Sequence, residues 1–154
     1  MQVINEIYPS SPDTIQQMME PGPEGPIFMV NLLKFRFHAE YEDGRETKLT
    51  GREAYMIYGR AVAELLPKYG AAPIFAGDVT MLMIGQVEEL WDEVAIAAYP
   101  NRKALLDMSL SEEWQAISIH RSAGLKGQLN IETTIQDGFS KELGAIFRNM
   151  VSPA

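Results

Sequence analysis

Three stretches of this sequence carry apolar side chains on both alternating faces of an extended chain, and they constrain the fold more than any other feature. They are residues 27–35, 80–87 and 92–99. The first has two apolar sets, namely Ile27, Met29, Leu33 and Phe35 on one face and Phe28, Val30 and Leu32 on the other. A solvated antiparallel sheet alternates apolar with polar residues, so strands of this kind are expected to be covered on both sides.

Capping signals predict helices around these strands. Ser11 and the proline after it begin a short N-terminal helix. Thr50 and Glu53 form a capping box that opens a longer amphipathic helix, which Gly70 ends. Two further helices follow the strand over 92–99, and the second of them closes at Gly124. Helices therefore alternate with strands along the chain.

The remaining segments complete the order of elements. Residues 73–87 are predicted to form one long strand, bent near Gly77 and joined as a hairpin to the strand over 92–99. A last strand with a single apolar face is expected over 129–133, and an amphipathic helix from Phe139 onward. This order predicts an α+β fold, the split βαβ, ferredoxin-like arrangement of an antiparallel sheet with helices on one side.

Length and charge bound the domain plan and the class of partner. The 154 residues fit one domain, divided into an N-terminal helix and Pro/Gly linker over 1–25, a ferredoxin-like domain over 26–134 and a C-terminal helical extension over 135–154. Thirteen Lys and Arg against 21 Asp and Glu give a net charge of −8. That charge argues against nucleic acid and anionic membranes as partners.

Cysteine usage and the length of apolar runs bound the compartment. The chain has no Cys, which excludes disulfides, thiolate catalysis and Cys-ligated metals. Its first residues have neither the basic nor the apolar segment of a signal peptide, and no apolar run approaches the ~20 residues of a membrane span. We therefore expect a cytoplasmic protein, and we predict neither a metal nor a cofactor.

Two helices on one side of the predicted sheet leave its other, apolar face bare. Four strands of ~7 residues cover on the order of 400 to 500 Å² in plan. Burying that area contributes on the order of 10 kcal/mol per subunit, so we predict a homodimer that joins two sheets face to face as a closed barrel. The alternative is that the terminal helices fold back over this face.

Polar side chains inside the apolar pattern are the candidate ligand-binding residues. Asn31 interrupts the first strand and needs hydrogen-bond partners, which a ligand or a neighbouring backbone group can supply. Arg121 lies in the apolar stripe of its helix and must pair with an internal acid or with a ligand carboxylate, phosphate or enolate. His120 flanks that stripe, and Tyr58 and Tyr99 could present hydroxyl groups to a cavity or belong to the core.

Several short motifs resemble one family when their order and spacing are taken together. They are Asn31-Leu32-Leu33-Lys34-Phe35, Gly51-Arg52-Glu53-Ala54-Tyr55, Lys68-Tyr69-Gly70, Tyr99-Pro100 and His120-Arg121-Ser122-Ala123-Gly124-Leu125. Together they resemble the bacterial domain of unknown function numbered 1330, in the dimeric α+β barrel superfamily. The resemblance implies a homodimer with a pocket between each sheet and its helices. It implies no reaction and no catalytic residue, because the family has none established.

The residues and the resemblance favour a small-molecule-binding protein. Its ligand is expected to be an apolar or aromatic anion, and its enzymatic form would be a cofactor-independent monooxygenase or isomerase, as in some members of the superfamily. Arg121 would hold the anionic oxygen, while Tyr58 or His120 would exchange protons. The alternative is a non-catalytic homodimer that recruits another protein through its terminal helices. Haem binding through His120 is a third hypothesis.

Overall fold

The computed structural model describes residues 2–136 and 138–139. Its helices and strands follow one another as α1 (Pro12–Met18), β1 (Ile27–Phe35), α2 (Gly51–Leu65), β2 (Ala72–Asp78), β3 (Glu93–Tyr99), α3 (Arg102–Ser109), α4 (Glu112–Gly124) and β4 (Leu125–Thr133). A 3-10 turn over Leu66–Tyr69 extends α2, and Gly70 ends it in the left-handed conformation at φ 68°. The predicted capping box of Thr50 and Glu53 is present at the start of α2.

The sheet has four strands in the order β2-β3-β1-β4, and every neighbouring pair is antiparallel. β1 lies in the middle, since it pairs with both β3 and β4, while α2 and α4 carry the two crossovers. This is the split βαβ arrangement, and the predicted α+β, ferredoxin-like fold is confirmed. The predicted N-terminal helix is confirmed as α1, whereas the predicted C-terminal helix lies outside the described residues.

The two faces of the sheet have different environments. The helix side holds Ile27 and Leu33, which are both 0% exposed and belong to the core under α2 and α4. The open side holds Phe28, Val30 and Leu32, which are only partly buried. Strand register carries the same division across the sheet, because directly paired residues share a face. The open side is therefore apolar over β1, β3 and β4.

α2 and α4 touch where each carries a glycine. A Cβ added to Gly51 would press against the main-chain oxygen of Gly124, and one added to Gly124 would press against that of Gly51. Ala54 and Ala123, both 0% exposed, continue this contact beside Tyr41 from the loop after β1. Small side chains allow the backbones to approach, so the start of α2 and the end of α4 form one rigid layer over β1.

The N-terminal segment is held by Arg102 at the start of α3. This guanidinium binds both carboxylate oxygens of Glu132, at 2.7 and 2.6 Å. It also donates to the main-chain oxygens of Gln17 and Glu20, at 2.9 and 3.2 Å, where α1 ends. One side chain therefore links α1 and the Pro/Gly linker to the edge strand β4.

The prediction of one long strand over 73–87 is wrong. β2 ends at Asp78, which pairs with Glu93, the first residue of β3. Just before β3 the chain turns toward β1, since the N–H of Asp92 donates to the main-chain oxygen of Leu33. Residues 80–91 consequently have no neighbouring strand to pair with, and they leave the sheet as a long connection. We name residues 79–91 the β2–β3 arm.

Candidate small-molecule site

Arg121 reaches the helix side of the sheet from the last turn of α4. Its Nη2 donates to Oε1 of Gln128 at 2.7 Å and to the main-chain oxygen of Ile7 at 2.9 Å. Both partners are neutral, and no Asp or Glu in the described part of the chain forms an ion pair with Arg121. Of the two partners that the sequence left open, the internal acid is therefore not found there.

A chain of side-chain amides continues from Arg121 across the sheet. Gln128 Nε2 donates to Oδ1 of Asn31 at 2.8 Å, and Asn130 Nδ2 donates to the same oxygen at 2.6 Å. The amide nitrogen of Asn31 donates to two main-chain oxygens, on β1 and β3, both at 3.2 Å. Asn31 is thus fully bonded within the protein, and it connects to Arg121 through Gln128.

Aromatic side chains of α2, α4 and β3 lie beside this network. The ring centroids of Tyr55 and Tyr58 are 5.4 Å apart, and Tyr55 also contacts Phe35 at 5.3 Å. Trp114 Nε1 donates to the hydroxyl oxygen of Tyr58 at 3.3 Å. Tyr99 ends β3 in the main core and is 6% exposed. The phenols stand close together on the helix side of the sheet.

The surroundings keep these phenols protonated. Burial raises the pKa of Tyr55 and of Tyr99, and the nearby Tyr58 hydroxyl raises both further. Burial also raises the pKa of Tyr58, while the bond from Trp114 and the charge of Arg121 act in the opposite direction. Protonated phenols donate hydrogen bonds, so beside Arg121 they suit an anionic or enolic oxygen. This chemistry differs from the proton exchange that the sequence led us to expect of Tyr58.

A buried carboxylate stands at the edge of the same region. Glu93 begins β3, is 8% exposed and receives a hydrogen bond from Arg52 Nη1 at 3.2 Å. Burial raises the pKa of Glu93, and the Arg52 charge opposes that change. Arg52, its partner, lies over the ring of Phe35, which contacts Tyr55, so Glu93 lies near the phenols. It is a group suited to accept or return a proton.

His120 has a hydrogen-bond partner outside the group formed by the other four predicted residues. Its Nδ1 is 2.7 Å from the hydroxyl oxygen of Tyr41, in the loop between β1 and α2, and the two rings meet edge to face. Arg45 lies over the ring of Tyr41, with its Cζ 4.8 Å from the centroid. Burial, and then the Arg45 charge, lower the pKa of His120. The structure brings Asn31, Tyr58, Tyr99 and Arg121 to one side of the sheet and gives His120 a separate partner.

Two surface concavities occur elsewhere on the molecule. One, of about 650 Å³, lies in the β1–α2 loop between Ala39 and Lys48. The other, of about 360 Å³, follows the outer side of α2 from Leu49 to Arg60. Neither is lined by any of the five predicted residues, although Tyr41, the partner of His120, lines the first. The helix-side cluster, which comprises Asn31, Tyr58, Tyr99 and Arg121, therefore lines neither concavity.

The residues that connect these polar groups were not among the predicted site residues. Gln128 was assigned no role, because it precedes the last strand as predicted over 129–133, whereas β4 begins at Leu125. The sequence held half of the signal, since Asn31 needs a polar neighbour, and the structure adds that Gln128 falls on the helix side of β4. The N-terminal segment gave no such signal: Glu6 bridges to Gln128, and Ile7 supplies its main-chain oxygen to Arg121.

Residues 2–136 and 138–139 contain no group of three or more His, Cys, Asp or Glu side chains arranged to hold a metal ion. None of the helices in that part of the chain has both the length and the apolar character required to cross a membrane.

Solved structures of one protein are similar over most of this chain. The protein is RPA0582, a protein of unknown function from Rhodopseudomonas palustris, with 30% identity, a TM-score of 0.76, and coverage of 87% of this chain and 99% of that one. A structure of methylated RPA0582 gives 33% identity, a TM-score of 0.77, and coverage of 87% and 98%. The chain belongs to the RPA0582 family. No family model and no curated protein matches the sequence. Because RPA0582 is itself of unknown function, family membership carries no activity to this chain.

Proposed function

We propose that this protein binds a small apolar or aromatic molecule bearing an anionic or enolic oxygen, on the helix side of its sheet. The observation that carries the proposal is the guanidinium of Arg121, whose described partners are the neutral oxygens of Gln128 and Ile7. A half-buried positive charge that has no acidic partner has lost part of its solvation. A bound anion compensates for that loss, so the guanidinium favours an anionic ligand. Protonated Tyr55 and Tyr58 supply further donors and an aromatic wall for the rest of the ligand.

The enzymatic form of this proposal is a cofactor-independent monooxygenase or isomerase. Arg121 and the tyrosine hydroxyls would stabilise an enolate or another oxyanion as its charge develops. Glu93 replaces His120 as the group that we assign to proton transfer, because His120 bonds to Tyr41 on another part of the surface. Membership of the bacterial domain of unknown function numbered 1330 remains our finer proposal for the family, and a bacterial, cytoplasmic origin accompanies it.

We further propose that the protein acts as a homodimer joined through the open sides of two sheets. What supports the dimer is the apolar composition of that side, where Val30 pairs with Ile96 on β3 and Ile131 on β4. Ile131 is 44% exposed, as is expected of a side chain whose partner lies on another chain.

A second candidate function is a non-catalytic homodimer that recruits another protein. One observation favours it, namely that α1 has no buried residue and leaves Ile15 48% exposed, with Met19 just after it 65% exposed. An exposed apolar helix face can serve as a docking surface for a partner. The predicted C-terminal helix, the other half of this hypothesis, lies outside the described residues.

Aromatic carboxylates provide the test, with benzoate and salicylate as the probes. Trp114 touches Tyr58, so its fluorescence reports on the site once the other tryptophan is removed as Trp91→Phe. In that background we expect a saturable response that Arg121→Met weakens about tenfold or more, because a charge-assisted bond is lost.

The matched control is Arg60→Met, which removes an exposed charge on α2 and should leave the affinity unchanged. Equal affinity in Arg121→Met and the parent protein would overturn the anchoring role of Arg121. No saturable response to either probe, in a correctly folded parent, would favour the non-catalytic interaction protein instead.

A further inference from the structure

The tip of the β2–β3 arm is an apolar segment that is largely exposed in the described chain. Four large apolar residues follow one another there. Met81 is 68% exposed, Leu82 39%, Met83 83% and Ile84 92%. Single exposed apolar side chains are ordinary on protein surfaces, but four in succession form a contiguous patch. A patch of this kind marks an interaction surface.

The base of the arm is fixed, in contrast to its tip. Lys34 Nζ donates to the main-chain oxygen of Leu90 at 2.9 Å and to Oδ1 of Asp92 at 3.0 Å. Trp91 Nε1 donates to Oδ1 of Asn5 at 2.7 Å. Lys34 belongs to the open side of β1, so the arm leaves the molecule at the margin of the apolar sheet face. The base of the arm is therefore anchored beside the open side.

The area of the open side bears on which molecule the arm tip contacts. Four strands of ~7 residues, ~4.8 Å apart, cover about 450 Å² in plan. This is the area of the open side alone, without the arm. A stable interface of standard size buries ~800 Å² on each partner. The accessible area of the open side exceeds its plan area, because side chains project from it, but a plan area of ~450 Å² is a small footprint for a stable interface. The apolar tip of the arm is the adjoining apolar surface that would enlarge it.

We propose that the arm tip of one protomer packs against a second copy of this chain, at the margin of the sheet-to-sheet interface. A two-fold axis through the open faces gives each copy one arm and one receiving surface, so the contact closes without leaving an unpaired tip. The inference rests on the homodimer in the proposed function, and it adds the arm as a second, separable part of the interface.

The first test changes the tip without touching the sheet. Met83→Glu combined with Ile84→Glu places two charges in the proposed contact and leaves the monomer core intact, because both side chains are exposed in one chain. We expect the dimer dissociation constant, measured by sedimentation equilibrium, to rise about 100-fold or more. The matched control is Leu110→Glu, at a 71% exposed position after α3, which should leave dimerisation unchanged.

A second readout does not depend on affinity. The chain has no Cys, so Ile84→Cys accepts a single spin label. We expect the label to be immobilised in the dimer and mobile when Val30→Glu breaks the sheet contact, whereas a label at Leu110→Cys stays mobile in both. A dimeric protein with a mobile label and an unaltered dissociation constant in the arm variant would overturn the arm proposal alone. A monomeric parent protein would overturn it together with the homodimer, and salicylate binding would still test the small-molecule site separately.

Discussion

The two sides of the sheet are built on opposite plans. The side under the helices combines the apolar core with a polar network, in which Asn31, Gln128 and Asn130 are joined by hydrogen bonds. The side without helices carries apolar residues such as Val30 and Leu32, which are only partly buried. In a free-standing domain the uncovered side would be the polar one. This reversal supports the proposed dimer interface on the open side and the proposed binding site on the helix side.

The edge strand β4 gives the clearest example of this reversal. Leu129 pairs with Leu32, and Ile131 pairs with Val30, so both apolar residues lie on the open side. Gln128 and Asn130 lie on the helix side, where they reach Asn31. A strand with one apolar face has therefore turned that face away from its own helices.

The largest expected effect comes from a charge at the centre of the open side. Val30→Glu places a carboxylate between Ile96 and Ile131 of the same sheet and opposite the second copy. Burying an unpaired charge costs about 3 to 5 kcal/mol, so the dimer dissociation constant should rise about 1,000-fold. Analytical ultracentrifugation measures the change.

Ile119→Glu is the control, since Ile119 is 41% exposed on α4, remote from the open side. If both variants remain dimers of equal affinity, the open side does not form the dimer interface.

Neighbouring leucines of β1 provide the next test. Leu33 is 0% exposed in the core on the helix side, so Leu33→Ala should lower the free energy of unfolding by about 2 to 5 kcal/mol at any protein concentration. Leu32→Ala, on the open side, should act mainly through the dimer, and its effect should depend on protein concentration. Urea denaturation at two concentrations separates the two cases. Identical concentration dependence in both variants would contradict the assignment of faces.

The smallest expected effect concerns the ion pair that holds α1 to the helix side. Hydrogen bonds from Arg102 lower the pKa of Glu132, so its contribution to stability is present above the ordinary carboxylate pKa and is lost as pH falls through the lowered one. Glu132→Gln should cost about 1 kcal/mol near pH ~7, and the difference from the parent should vanish in acid. Thermal denaturation against pH measures it.

Asp107→Asn is the matched control, because the Lys103–Asp107 pair is exposed and should contribute only a few tenths of a kcal/mol. A difference between Glu132→Gln and the parent that is constant across pH would contradict the assignment of the effect to the charged pair.

Features decided by local chemistry could be predicted from the sequence. The capping box of Thr50 and Glu53 and the left-handed Gly70 bounded α2 correctly, since both depend on neighbouring residues alone. The apolar pattern of residues 27–35 predicted the strand β1. These signals were sufficient for the fold class.

Features decided by distant partners could not be predicted in the same way. The length of β2 depends on where β3 begins, and the hairpin hydrogen bonds stop at Val79 and Asp92, where the N–H of Asp92 donates to Leu33 of β1. The role of Gln128 depends on which side of β4 meets the helices, and alternation alone does not give that side. His120 was grouped with Arg121 because they adjoin in sequence, but adjacent helical residues point in different directions.

The central claim is that a second copy of the chain covers the open side of the sheet. Native mass spectrometry of the full-length protein at micromolar concentration tests it most directly. We expect a species of twice the 17.2 kDa chain mass, and its conversion to single chains by Val30→Glu but not by Ile119→Glu. A parent protein that remains at the mass of one chain under these conditions would show that no second copy covers the open side.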